Sequence, residues 1–530
     1  MNTPEASTFR ASEATFARRS STAQGTTDTA LRRVAVAGPL ATNPPIAILG
    51  VPFDNIGTAH AIQLIEEMIA SRKPHYLVTA NVDFVVQAQS DIELRRIIFN
   101  AELVLCDGTP LVWASRFLGN PLPERVAGAD LVPLLIRLAA IRNYRIFLLG
   151  ATPEAAEKAV ARLRAQYPKL VIDHYSPPFD PLLEMDHEQI KNRITAMNPD
   201  MLFVSFGCPK QEKWIAMHYK NLSVPVVAGV GATIDFLAGQ VRRSPVWMQK
   251  IGAEWIFRLA QEPRRLFGRY ARDLWVFGKG IVKQWWQLQF RHRLRPATPQ
   301  HNLPPTAPST VLSAVTEELV PIKVRGRLDS ASAHDGTFAL DKILSRSGHC
   351  LLQMEDVEFI DSTGIGILVQ LQKRLHGEGR QLVFIAPSTM VTQALMLMRL
   401  TEFFAIAADL EAAKRLVDTR QHELPVVADS VTKSEALHWQ GEITAENAEH
   451  VWDSTVAWLA NAGCDVQQEA VINLAAVRFI DSSGLAIMIR ARKLAQRHGV
   501  NLKFQEIQPA VRNVIRISRM EEFLGLCDAS

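Results

Sequence analysis

The run AELVLCDG ends on Asp107 and Gly108, and other polar clusters stand before and after it in the chain. TANVDF (Thr79–Phe84) follows an apolar run, and ERVAG places Arg125 eighteen residues beyond Asp107. FGCPKQEKWI then brings Gly207, Lys210, Gln211 and Glu212, and GVGATIDFLAG brings Gly231 and Asp235. A carboxylate at the carboxyl end of a strand, on a glycine turn, is a reasonable general base. The competing reading is that Asp107-Gly108 forms a turn and caps the next helix. Spacing alone leaves both open. PKQE could equally open a helix with proline in its first turn, and GVGA is half of a dinucleotide fingerprint.

Missing motifs narrow the chemistry. The sequence has no GxxxxGK[ST], HExxH, GxSxG or strict DxD. An enzyme that expels a nucleotide diphosphate must neutralise it with a metal, cationic side chains or helix N-termini. Without a DxD the last two are favoured, so neither a metal nor a cofactor is expected.

These residues need a frame. IAILG, HYLVTAN, AELVLCDG, RIFLLGA, DMLFVSFG and VPVVAGVGA each read as a buried strand ending in Gly, Asn or Asp. Helical-period segments such as AIQLIEEMIASR and PEAAEKAVARLRAQY lie between them. This alternation predicts a parallel sheet covered on both faces, with ligands at the carboxyl ends of the strands.

At 530 residues the chain should form several domains. Its 48% hydrophobic and 21% charged content is ordinary for globular cores, and a net charge of +4 does not argue for nucleic acid. Five scattered cysteines without a CxxC argue against a disulfide framework or zinc site and fit a reducing cytoplasm. No run of about 18 apolar residues occurs. The Ser/Thr/Ala-rich residues 1–44 read as a disordered tail, 45–295 as the first ordered block, 296–318 as a Pro-rich linker and 419–434 as a second linker.

The remainder is a repeat. FIDSTGIGIL (Phe359–Leu368) recurs as FIDSSGLAIM (Phe479–Met488), and with an offset of 120 Gly379 pairs with Gly499, Phe384 with Phe504 and Glu402 with Glu522. VRGRLD and WQGEIT read as matching opening strands. Two copies are too few for a solenoid, so 319–418 and 435–530 read as two small α/β domains in tandem. Within D-S-[ST]-G, Asp or Ser caps the helix that follows, and capping alone would explain the pattern.

Residues 45–275 resemble the WecG/TagA/CpsF glycosyltransferases (family 26) through TAN, CDG…ERVAG, FGCPKQE, GVGATID, RRSPVW and EWIFRLAQEPRR. The resemblance implies a Rossmann-like domain that transfers a sugar, with inversion and without a metal, from a UDP-sugar to a polyprenyl-diphosphate-linked saccharide. Such a step serves bacterial surface polysaccharide or exopolysaccharide synthesis. It further implies that Asp107 deprotonates the acceptor hydroxyl and that Thr79 and Asn81 border the donor sugar. Arg125 and Gln211 would contact donor or acceptor groups, and Gly231 and Asp235 would line the nucleotide pocket. Ala232 and Ala253 stand where Gly and Leu are commoner in the family.

Residues 258–295 carry ten Arg or Lys against Glu262 and Asp273, with Trp275, Phe277, Trp285, Trp286 and Phe290 interleaved. This is the composition of an interfacial helix on an anionic membrane surface. A nucleic-acid patch and a partner-docking helix are the alternatives, and the first is set aside: no nucleic acid is expected. In the family a comparable appendage supports membrane attachment, and Arg258, Arg265 and Arg269 match the arginines that would hold the acceptor diphosphate. Gly278 and Gly280 predict two helical segments rather than one.

The repeated pattern resembles the STAS domain of anti-sigma-factor antagonists, in which the second hydroxyl of D-S-[ST]-G is phosphorylated. Carried over, the sites are Thr363 and Ser483, on the outer surface where a partner docks. The first copy has Thr where Ser is commoner, and the second has Ala486 where the first has Gly366. The expectation is a cytoplasmic enzyme, peripheral to the inner face of the cell membrane, whose STAS pair answers to a switch kinase or phosphatase or to a polysaccharide-assembly protein. The rival is a signalling protein whose transferase domain only senses a nucleotide sugar. The presence of Asp107, Thr79 and Gln211 argues against it.

Overall fold

The computed structural model describes residues 43–240, 254–261, 263–290, 320–334, 346–422, 436–462 and 469–526, with Ser244, Pro245, Met248, Ile343 and Leu344. The expected tail, except for Asn43 and Pro44, lies outside these residues. So do the first linker and the part of the second beyond His422.

The described chain opens on a hairpin of β1 (Ile46–Ile48) and β2 (Val51–Phe53), turned at Leu49-Gly50, where both residues have positive φ. Six parallel strands follow: β3 (His75–Ala80), β4 (Leu103–Cys106), β5 (Arg145–Gly150), β6 (Val171–Tyr175), β7 (Met201–Ser205) and β8 (Val226–Gly229). Their order across the sheet is β4-β3-β8-β7-β5-β6. Helices cover both faces: α1 (Thr58–Ser71), α2 (Val82–Gln87), α3 (Ile92–Asn100), α4 (Thr109–Phe117), α5 (Gly128–Arg142), α6 (Pro153–Gln166), α7 (His187–Met197), α8 (Lys210–His218) and α9 (Thr233–Ala238). Two apolar cores result, one on each face, because the strands are apolar on both sides.

Two expectations about the sheet are corrected. IAILG is not one of its strands but the first arm of the hairpin, paired antiparallel with Val51–Phe53. The sixth strand is VIDHY, which pairs with β5 at the sheet edge and alternates exposed and buried positions at its start. An edge strand covered on one side does not read as a continuous apolar run.

The appendage forms α10 (Glu254–Gln261) and α11 (Pro263–Trp285). The expected break at Gly278 and Gly280 does not occur. α11 runs through both glycines, and the division falls before Pro263. A side chain at Gly280 would come within 2.8 Å of Leu49, so this glycine lets α11 lie close on the hairpin turn. That packing outweighs the glycine penalty of about 1 kcal/mol.

The two repeats are separate small α/β modules. Module one has β9 (Ile322–Leu328), β10 (Cys350–Ile360), β11 (Leu382–Ile385) and β12 (Ala405–Ala407), all parallel in the order β12-β11-β10-β9. Its helices include α12 (Ser362–Gly377), α13 (Thr389–Leu397) and α14 (Leu410–His422). Module two has β13 (Ala436–Ile443), β14 (Glu469–Ile480) and β15 (Asn501–Gln505) in sequential parallel order, with α15 (Ala448–Ala462), α16 (Ser482–Arg497) and α17 (Pro509–Ile517). In both, the decapeptide is the end of the central strand and the start of the next helix. Its aspartate is the N-cap. Asp361 Oδ1 accepts from the N–H groups of Thr363 and Gly364 at 2.7 and 2.9 Å, and Asp481 Oδ1 from those of Ser483 and Gly484 at 2.7 and 3.0 Å.

Candidate active site

The motif residues follow four adjacent strands: TAN at β3, CDG at β4, FGC at β7 and GVG at β8. Parallel strands put all four carboxyl ends on one side of the sheet, so residues up to 156 positions apart (Thr79 and Asp235) share one edge.

Asp107 directly follows β4. Its N–H donates to the carbonyl of Ala80 at 2.9 Å, which fixes the backbone, and its half-buried side chain lines a cavity of about 200 Å³. Asn81, Gly108 and Arg125 line the same cavity from the sheet side, and Trp255, Arg269 and Asp273 line it from the appendage. Asn81 also caps α2, its Oδ1 accepting from the N–H of Phe84 at 3.2 Å. Thr79 is buried with its hydroxyl beside Gly128, at the start of α5, and is not on the cavity wall.

Arg125 is fastened by carboxylates on two sides. Its guanidinium donates to Glu254 at 2.9 Å and to Asp130 at 2.8 Å. Burial disfavours its charge, but Asp107, Glu254 and Asp130 outweigh that and hold its pKa above the ordinary arginine value. The pair with Glu254 ties the loop between α4 and α5 to the first residue of α10, and so helps to seat the appendage. Burial pushes the neighbouring Cys106 thiol up to about 12, which keeps it neutral beside Asp107.

Gln211 is placed differently from the expectation that it touches a substrate group. It is buried at the start of α8, and its Oε1 accepts from the N–H groups of both Gly207 and Gly231 at 3.2 Å. Its amide nitrogen donates to Glu212 at 2.6 Å. It therefore braces the glycine turns after β7 and β8 against each other. Glu212 is buried beneath it, and burial pushes its carboxyl up to about 7. Asp235 lies half-buried on α9, after Gly231, and desolvation raises its pKa. The structure thus joins Asn81, Asp107, Arg125 and Arg269 around one cavity and puts Gln211, Gly231 and Asp235 at the neighbouring strand ends. The side chains of Arg258 and Arg265 lie outside the described residues.

Sequence reasoning missed three further carboxylates on the cavity wall: Asp83, Glu254 and Asp273. Asp273 is only 3% exposed, and its pKa is raised by burial and then by Asp83. All three stand inside segments already singled out (TANVDF, EWIFRLAQEPRR and the basic tail), but nothing local shows that they converge.

The appendage divides its aromatic residues between two environments. Phe277 and Ile281 pack into the domain core, while Phe267, Trp275, Val282 and Trp286 are exposed, Trp275 by 74%. Arg264, Arg269, Arg272, Lys279 and Lys283 are exposed along the same helix. Phe117 of α4 stacks on Trp285 with ring centroids 5.1 Å apart, and with the exposed Trp113 it extends this surface. Among the described residues, no helix is long and apolar enough to cross a membrane.

The expectation that Thr363 and Ser483 face outward is corrected. Thr363 is 0% exposed and its hydroxyl has no hydrogen-bond partner among the described residues, while Ser483 is 7% exposed. Both turns lie where the modules meet the transferase-like domain. Ser362 Oγ accepts from Gln284 of α11 at 2.8 Å, and the N–H of Ser482 donates to Glu93 of α3 at 2.6 Å.

Comparison with known proteins finds two families along the chain. The model of the glycosyl transferase WecG/TagA/CpsF family matches residues 46–291, and the STAS domain model matches 311–413 and 428–529. An N-acetylglucosaminyldiphosphoundecaprenol N-acetyl-beta-D-mannosaminyltransferase of Staphylococcus aureus strain MW2 is 33% identical over 223 residues, 42% of this chain and 86% of that protein. The same-named protein of strain NCTC 8325 matches to the same extent, 33% over 223 residues, again 42% and 86%. A solved structure described as "Crystal Structure Analysis of Mglu" overlaps 23% of this chain and 28% of its own at 22% identity, with a TM-score of 0.13, too low to bear on the fold.

Proposed function

The chain belongs to the WecG/TagA/CpsF glycosyltransferase family and carries two STAS domains, and on that footing we propose that it moves one sugar from a UDP-sugar to a polyprenyl-diphosphate-linked saccharide. The observation that carries this reading is the half-buried Asp107 in a cavity whose opposite wall, Arg269 included, comes from the basic appendage.

In the proposed reaction the Asp107 carboxylate takes the proton of the acceptor hydroxyl as its oxygen attacks the anomeric carbon. The bond from that carbon to the diphosphate oxygen breaks on the opposite face, which inverts the centre and releases UDP. The glycine turns that Gln211 braces stand at the carboxyl ends of β7 and β8, where a nucleotide diphosphate would sit in a sheet of this kind. Arg269 would meet the acceptor diphosphate, and the side chains of Arg258 and Arg265 would join it. Asp235, half-buried on α9 after Gly231, would accept a hydrogen bond from the nucleotide. The donor class proposed is N-acetylmannosamine-type or hexose, and the product would feed surface polysaccharide synthesis.

The acceptor's lipid supports a membrane-surface placement. Phe267, Trp275, Val282 and Trp286, rimmed by Arg and Lys, form an apolar face of the kind that enters a headgroup layer. An apolar groove lined by Ile256, Leu259, Pro263 and Phe267 begins next to Trp255 of the cavity wall and gives the polyprenyl chain a route away from it. The enzyme would then work at the inner face of the membrane, with the STAS modules as regulatory or docking units.

The test is UDP release with a synthetic polyprenyl-diphosphate sugar. Asp107→Asn should slow it by about 10²–10⁴-fold at unchanged fold. Equal rates for the two proteins would eliminate the assignment. Mass spectrometry of products from a panel of UDP-sugars would identify the donor.

A further inference from the structure

Gln284, near the end of α11, is completely buried and uses all of its polar atoms. Its Oε1 accepts from the N–H of Leu49 at 2.8 Å. Its Nε2 donates to the carbonyl of Ala47 at 2.9 Å and to Ser362 Oγ at 2.8 Å. One amide thus joins the appendage, the β1–β2 hairpin and the D-S-T-G turn of module one.

The surfaces around it are fitted to that junction. A Cβ at Gly366 would lie 2.5 Å from the carbonyl oxygen of Pro45 and 3.1 Å from the nitrogen of Ile46, so glycine is what allows α12 to reach the hairpin. A Cβ at Gly50 would lie 2.2 Å from the carbonyl oxygen of Met398. Ala47 and Leu288 are buried in the core of module one, not in that of the transferase domain. α11 continues unbroken from Gln284 back to Asp273 and Arg269 on the cavity wall, about 16 Å along the helix axis for the eleven residues to Asp273.

We propose that the D-S-T-G face of module one is an intramolecular latch that holds the appendage helix over the transferase cavity, with Gln284 as a positioning residue. This rests on the transferase reading above. When the latch is closed, a charged group on Thr363 has no room and no solvent, so modification of that turn and closure exclude each other. The latch makes the appendage's contribution to acceptor binding conditional on the state of the STAS turn. The donor side, built from the turns after β7 and β8, does not depend on it.

The experiment uses the full chain. Gly366→Leu places a side chain into Pro45 of the transferase domain, whereas Gly377→Leu, on the same helix, meets open space and serves as the control. In Gly366→Leu, amide hydrogen exchange at residues 46–53 and in the last two turns of α11 should quicken, while β10 and β11 stay protected. kcat/KM for the polyprenyl acceptor should fall by about tenfold with the donor KM unchanged, as expected when a positioning element shifts. Gly377→Leu should do neither. If Gly366→Leu instead unfolds module one, Gln284→Ala decides, because it leaves every residue of the module in place and should give the same pattern. Wild-type exchange at 46–53 in both variants would overturn the latch, and so would faster exchange with unaltered acceptor kinetics. If the wild-type chain released no UDP, the transferase reading would fall on that result alone, whereas the exchange data would still decide whether module one closes on the hairpin.

Discussion

Module one and module two share a fold, a decapeptide and an aspartate cap of nearly the same geometry, yet they are fastened to the transferase domain by different forces. Module one meets the hairpin and α11 through close backbone approach at Gly366 and Gly50, the buried amide of Gln284, and the ring of Phe99 lying 4.6 Å from that of Phe403. Module two meets the transferase domain through ion pairs, beside an apolar contact of Ile92 and Leu183 on its core. Arg96 donates to both carboxylate oxygens of Glu442 at 2.7 and 3.3 Å and lies 3.8 Å from the centre of the Phe479 ring, and Lys220 pairs with Glu446. Glu93 receives the Ser482 N–H and is itself held by Lys213 of α8 at 2.8 Å. The contrast explains a substitution between the copies: Gly366, forced by close approach, corresponds to Ala486 where the attachment is ionic. A duplicated peptide can thus keep its local geometry while its outer face is adapted to two different neighbours.

The largest effects should come from charge at the second hydroxyl. Thr363→Glu is expected to cost about 3 kcal/mol or more, because an unpaired carboxylate enters a fully buried position, and Ser483→Glu somewhat less. Denaturant titration with probes in each module would measure this. Losses below about 1 kcal/mol would mean that these turns are open in solution.

Arg96→Ala should loosen module two by about 1–2 kcal/mol and leave module one unchanged, since it removes a bidentate pair and a cation–ring contact together. Raising salt to about 1 M should act in the same direction and on the same module, because the Debye length shrinks to about 3 Å. Amide exchange in α3 and α16 would report both. An equal response from module one would show that the two modules are attached by the same forces.

The modules should also differ in pH dependence. Burial and then the charge of Glu93 push Asp481 up to about 7, whereas burial pushes Asp361 up to about 6. In both cases the folded state holds the proton more tightly than the unfolded chain. The stability each group contributes is therefore complete below about pH 4 and is lost as the pH rises through its folded pKa. Module two should keep losing stability up to about pH 7, module one only to about pH 6. Asp481→Asn, which keeps an oxygen for the cap, should flatten the first profile. Thermal unfolding across pH 4–8 would test this, and a profile unchanged by Asp481→Asn would refute it.

The smallest effect is expected from Thr363→Val. The hydroxyl is buried and makes no hydrogen bond to the described residues, so its removal should change stability by less than about 1 kcal/mol. A larger loss, in the same denaturant titration, would show that the hydroxyl has a role in the packed turn.

Much of this architecture was legible because its causes are local or periodic. Asp361 and Asp481 cap their helices through residues two and three positions ahead, so the D-S-x-G pattern carries its own geometry. The strands that carry TAN, CDG, FGC and GVG are apolar runs ended by turn residues, and parallel pairing brings their ends together without further information. What failed depended on partners far away in the chain. Gly280 does not interrupt α11 because Leu49 packs against it, and VIDHY does not read as a buried strand because an edge strand needs only one apolar face. Asp83, Glu254 and Asp273 converge on Asp107 only once the appendage is laid over the sheet.

From its own residues the chain determined the motif-bearing strand ends, the duplicated capped turn and the basic aromatic tail, since short-range hydrogen bonding and hydrophobic period specify each of them. Tertiary structure alone decided which faces of the STAS modules are covered and what covers them. Ser362 finds Gln284 across 78 residues, and Ser482 finds Glu93 across 389. No periodicity encodes a contact at such a distance, because it forms only when finished surfaces meet and their shapes and charges agree.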